Sequence, residues 1–147
     1  MRLSCQKAFV LALALTLGCH DSTAPLVLSA QFELENINGR QLPTYFFATP
    51  GLTATILSAG LTLDDGGKAV MTEHRQEFDG TETTYTNTFD YRIKDTKIEI
   101  GRFEPCPPNA NCVGIRSGTI AGSTLTLLMQ TTNLGPIIYT YRIVPTG

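Results

Sequence analysis

From Leu26 to Ile143 apolar and polar residues alternate with a period of two, and Gly-, Asn- and Asp-rich turns interrupt the pattern at short intervals. This feature decides the fold class. Successive side chains of an extended strand point to opposite faces, so such a period gives a sheet one apolar and one wet face. An amphipathic helix needs apolar residues three and four apart, and no convincing stretch of that kind follows Leu26.

The strand segments can be read in turn. Leu28, Ala30, Phe32 and Leu34 alternate with Ser29, Gln31, Glu33 and Glu35. Leu57, Ala59, Leu61 and Leu63 make a second face, which ends at Asp64-Asp65-Gly66-Gly67. Val70, Thr72, His74, Gln76 and Phe78 follow, opposite Glu73, Arg75 and Glu77. Asp79-Gly80 then turns the chain into a strand with Tyr85, Asn87, Phe89, Tyr91 and Ile93 on one face.

Lys94-Asp95-Thr96 turns into a short strand with Ile98 and Ile100. Residues 113–120 and 123–131 read as a hairpin across Ala121-Gly122. Asn133-Leu134-Gly135-Pro136 introduces a last strand carrying Ile137, Tyr139, Tyr141 and Ile143. The expectation is one all-β domain over residues 26–147, an eight-stranded antiparallel up-and-down barrel whose closure removes exposed edges. A β-sandwich is the alternative architecture.

The N-terminus is of another kind. Arg2 and Lys7 precede an unbroken apolar run, residues 8–17 (AFVLALALTL), then Gly18 and Cys19. A ten-residue helix spans about 15 Å, half a hydrocarbon core, so the run reads as a secretory signal and not a membrane span. Leu15-Thr16-Leu17-Gly18-Cys19 resembles the lipobox of bacterial lipoproteins. The resemblance implies a signal peptide of residues 1–18, lipidation of Cys19, and a polar tether of residues 19–25 (CHDSTAP). Cleavage after Ala24 is the rival, with Ser22-Thr23-Ala24 as a small-x-small site. Loss of residues 1–18 removes Arg2 and Lys7 and no acid, leaving 9 basic against 13 acidic residues, a net −4. Such a balance provides no electrostatic footprint for nucleic acid.

Cys106 and Cys112 flank Pro107-Pro108-Asn109-Ala110-Asn111. An even pair around a turn-rich loop in an exported domain reads as a structural disulfide. Zinc needs four ligands, and neither His20 nor His74 lies near in sequence. A redox pair would have two intervening residues, not five.

Little else carries chemistry. His74 is the only histidine after His20, in phase with Val70 and Phe78, and reads as an interior or rim residue. Asp64 and Asp65 read as a hairpin turn, because the remaining oxygen ligands of a calcium loop are missing. No catalytic residue, metal or cofactor is assigned, and an enzyme is not expected. Tyr45-Phe46-Phe47, between Pro43 and Pro50, breaks the alternation and reads as a non-strand segment. It is either a plug over one barrel end or a contact patch for a ligand or partner. Tyr85, Asn87, Tyr91, Tyr139 and Tyr141 share the inward phase of an eight-stranded barrel, which is just wide enough to be filled or to hold one small ligand.

The stretch Asn36-Ile37-Asn38-Gly39-Arg40-Gln41-Leu42-Pro43, with LTLDDGGK, SGTIAGSTLTL and YTYRIV, resembles small bacterial lipocalin-like envelope lipoproteins over residues 26–145. The resemblance implies a compact barrel held at a membrane by the lipid on Cys19. The expected role is non-catalytic binding of a small apolar ligand in the bacterial cell envelope. An envelope protein as partner, an inhibitor role, or a purely structural role are the alternatives.

Overall fold

Ten antiparallel strands form the described part of the chain, which a computed structural model gives for residues 28–49, 52–105, 114–129 and 135–145. They are β1 (Ala30–Ile37), β2 (Arg40–Gln41), β3 (Thr44–Thr49), β4 (Leu52–Leu63) and β5 (Lys68–Gln76). β6 (Glu82–Lys94), β7 (Lys97–Gly101), β8 (Arg116–Ala121), β9 (Thr124–Met129) and β10 (Ile137–Ile143) complete the set. No helix occurs among the described residues.

Each strand from β4 to β10 pairs with the next, β10 pairs with β1, and β1 returns to β4. Eight strands therefore close into an up-and-down barrel. The sheet has no second layer, so the sandwich does not occur. β2 and β3 are additional. β1 and β4 pair only from Ala30↔Leu63 to Glu33↔Gly60; beyond that point β2 takes over the edge of β1, and β3 that of β4. The two short strands patch a seam that would otherwise leave backbone groups unpaired.

The Tyr45-Phe46-Phe47 segment is thus a strand, contrary to the expectation from its broken alternation. Thr44 pairs with Ile56, Phe46 with Ala54 and Phe47 with Thr53. Backbone pairing on a local edge does not need a two-residue hydrophobic period, so the sequence carried no strand signal there.

Local chemistry explains the turns. Asn38 and Gly39, both at positive φ, make the tight turn between β1 and β2. The Asn38 backbone N–H donates to the Ile138 carbonyl, and its side-chain oxygen accepts from the Ile138 N–H, both at 2.8 Å. Asp64 Oδ1 accepts from the N–H groups of Gly66 at 2.9 Å and Lys68 at 2.8 Å, so this carboxylate closes its own turn.

Two β-bulges set the phase of the walls. Leu34 faces Tyr141 and Asn36 faces Thr140, leaving Glu35 as the extra residue in β1. Ile56 faces Arg75 and Ser58 faces His74, leaving Leu57 extra in β4. The bulge turns Ala54 and Ile56 inward together with Leu61 and Leu63, so the expected continuous face from Leu57 to Leu63 is broken.

The core lies inside the barrel, where Phe32, Leu61, Leu63, Ile93, Ile98, Ile100, Leu125, Leu127 and Tyr141 are essentially inaccessible to water. Removing such a side chain costs about 2–5 kcal/mol for Leu→Ala. One end, at the short turns after β4, β6 and β8, is sealed by Tyr91. Its hydroxyl accepts from the Leu28 N–H at 2.9 Å and donates to the Asp64 carbonyl at 2.7 Å.

Candidate functional site

The opposite end, where the longer connections lie, has a different interior. β5 shows the change within one strand. Ala69 and Met71 are buried beside Leu63 and Leu61, so the row with odd numbers is the inward one. Glu73 and Arg75 continue that row. This corrects the expected phase of β5, in which Val70, Thr72 and His74 faced the interior. The rival row is outside: the His74 side chain is 39% exposed, and its Nε2 lies 3.1 Å from Glu82 Oε2. Val70, Thr72 and His74 line an outer groove of about 420 Å³ with Glu33, Ser58 and Thr62.

Glu73 and Arg75 form an ion pair with side chains only 16% and 20% exposed, in which Arg75 Nε donates to Glu73 Oε2 at 2.8 Å. The Arg75 guanidinium also stands 4.8 Å over the ring of Tyr85, whose hydroxyl donates to Glu77 at 2.9 Å. The hydrogen bond and charge of Glu77 raise the pKa of that hydroxyl.

Arg116 enters from β8, opposite the buried Ile100. Half-buried, it crosses the interior to donate from Nη1 to Met71 Sδ at 2.9 Å, and its guanidinium lies 4.9 Å over Phe89. Among the described residues no carboxylate pairs with it.

β10 supplies Tyr139 and Tyr141, which are 3% and 0% exposed, with ring centroids 6.4 Å apart and planes at 22°. Burial pushes both hydroxyls far above the ordinary tyrosine range, and the charge of Glu73 adds to the shift. The charge of Arg116 acts in the opposite direction in both. Both tyrosines are therefore neutral donors over any physiological pH. The Tyr141 hydroxyl is fully enclosed and has no hydrogen-bond partner. A buried hydroxyl without a partner costs about 1–3 kcal/mol, and such groups are few in native proteins.

The constellation is thus two cations, one anion and two neutral phenols on an otherwise apolar wall. Such a set of groups has the chemistry to orient a polar or anionic group beside the apolar side chains of Met71 and Phe89.

The residues singled out from sequence fall differently. Tyr45 is 68% exposed on β3. The side chains of Phe46 and Phe47 lie outside the described part of the structure, as do Cys19, Cys106 and Cys112. Of the aromatic set expected inside, Tyr91, Tyr139 and Tyr141 are buried. Tyr85 is 40% exposed and Asn87 is exposed, because β6 pairs with β7 only from Asp90 to Lys94 and its first half runs beyond that neighbour. Glu73, Arg75 and Arg116 were missed. Arg116 opens its strand directly after Ile115, so it resembles a solvated end residue.

Among the described residues no group of three His, Cys, Asp or Glu side chains could hold a metal ion. Comparison with known proteins returned no matching family model, no matching curated protein and no matching solved structure.

Proposed function

We propose that this is an exported, lipid-anchored protein of the bacterial envelope that binds a small, largely apolar ligand inside one end of its barrel and does not transform it. The Tyr141 hydroxyl carries this reading. A polar group enclosed without a partner is a cost to the folded state, and a ligand that accepts its proton removes that cost. Membrane attachment rests on Gly18-Cys19 at the end of the apolar run, and export on the run itself.

The non-catalytic part of the reading is supported by where His74 lies. The only histidine of the folded domain is on the outer wall beside Glu82, away from the interior constellation. The test is binding of the neutral probe N-phenyl-1-naphthylamine to the mature protein. One saturable site per chain, competed by octanol, with both compounds recovered unchanged, is the expected result. Fluorescence that rises without saturation contradicts it.

A protein partner is the second reading, favoured by the exposed Tyr45 and by Phe78, 75% exposed beyond β5. A photo-crosslinker at Tyr45 that captures one envelope protein stoichiometrically in cells would favour it over the ligand.

A further inference from the structure

We infer that the ligand site has an anion-binding end built from Arg116 and Tyr141, so that the molecule it takes is apolar with a carboxylate or phosphate head. This rests on the reading of the barrel interior as a binding site, and names the class of ligand.

The argument is one of compensation. Among the described residues three charged side chains, Glu73, Arg75 and Arg116, face this part of the interior. Glu73 and Arg75 neutralise one another, and Arg75 has the Tyr85 ring as well. Arg116 is left with a thioether sulfur and an aromatic face, both weak partners for a guanidinium. A half-buried cation without a counter-charge destabilises the fold that holds it, and evolution ordinarily removes such a group or pairs it. An anionic head would complete the pair.

Tyr141 supplies the second, independent observation. Its hydroxyl is enclosed and unpartnered, and it stays protonated, so it has a proton to donate and nothing described to receive it. A carboxylate or phosphate has oxygens for both groups at once: two for the planar fork of Arg116 and a further lone pair for Tyr141. A neutral alcohol can satisfy the phenol but leaves the guanidinium uncompensated. A cationic head meets Arg75 and Arg116 with, among the described residues, Glu73 alone to favour it. The apolar part of the molecule has Met71, Ile56 and Ile137 as its buried surroundings, together with Phe89, whose ring lies under the Arg116 guanidinium.

The experiment is calorimetric titration of the mature protein with octanoate, octyl phosphate, octanol and octylammonium. Octanoate or octyl phosphate should bind at least about tenfold more tightly than octanol, as a charged hydrogen-bonded pair implies, and octylammonium least of all. The two anionic arms separate a fatty-acid head from a phospholipid-type head. Arg116→Gln should bring the anions to the level of octanol while leaving octanol unchanged, and Tyr141→Phe should weaken every oxygen-bearing head. Octanol binding as tightly as both anions, with Arg116→Gln without effect, overturns the anionic end but leaves an apolar site standing. No binding of any of the four removes both. Should Arg116→Gln not fold, the comparison among the four compounds on the wild-type protein decides alone.

Discussion

On the proposed reading, Tyr141 is where stability and binding pull in opposite directions. Tyr141→Phe removes a hydroxyl that has no partner and keeps the ring against Tyr139. The unliganded protein should therefore be as stable as wild type, or more stable by up to about 1–2 kcal/mol. A loss above about 1 kcal/mol in chemical denaturation would mean that the hydroxyl has a partner within the fold. The pH dependence follows from the same burial. A phenol whose folded pKa is raised contributes stability that is fully present below the unfolded value near 10. Above that pH the unfolded chain releases the proton and the folded one does not, so stability falls as the pH climbs. Alkaline unfolding should be shallower in Tyr141→Phe than in wild type between about pH 10 and 12. Identical slopes would contradict the burial. Arg116 belongs to the same scale: its role depends on which way one long side chain turns, and that is a property of its neighbours.

At the scale of single elements, β8 and β9 approach closely. A Cβ at Gly118 would lie 2.2 Å from the Thr126 carbonyl oxygen and 2.7 Å from Leu127 Cδ2. Gly118→Ala must move backbone, and should cost about 1–3 kcal/mol in a thermal or denaturant melt. An unchanged midpoint would show that the two strands have slack. The cysteine loop between β7 and β8 gives another expectation. Non-reduced mass spectrometry of exported protein should link Cys106 to Cys112, and Cys112→Ser should cost about 2 kcal/mol, the chain-entropy value for so short a loop. Two free thiols would contradict it. Elements also show how far the sequence was legible. Alternation located nearly every barrel strand, since β-branched and apolar residues at every second position have one physical meaning. It did not say which row of β5 faced inward. Val70 and Thr72 compete with Ala69 and Met71, and a slip of one residue exchanges the faces. Only the pairing of Ala69 with Leu63 and Phe89 decides, and that is tertiary. The Leu57 bulge and the β3 pairing were hidden for the same reason, and with them Glu73 and Arg75. The tyrosines of β10 were legible because Ile137 and Ile143 frame them in one phase.

The whole molecule is a barrel with unlike ends. Tyr91 and short turns seal one, and charged side chains line the interior toward the other. If residues 1–18 are removed and Cys19 is acylated, seven tether residues reach at most about 25 Å, which keeps the barrel beside its membrane and a lipid-like ligand close at hand. Cys19→Ala should move the protein out of the membrane fraction, and wild type should incorporate labelled fatty acid in a bacterial host. No incorporation would contradict the anchor. The central claim is that the charged part of the barrel interior is the binding site, and its location can be measured directly. In a titration of isotope-labelled mature protein with octanoate followed by NMR, the largest shifts should fall on Glu73, Arg75, Arg116, Tyr139 and Tyr141. Shifts confined to the outer groove around His74, or to the exposed strand around Tyr45, would contradict the claim and place binding on the outer wall.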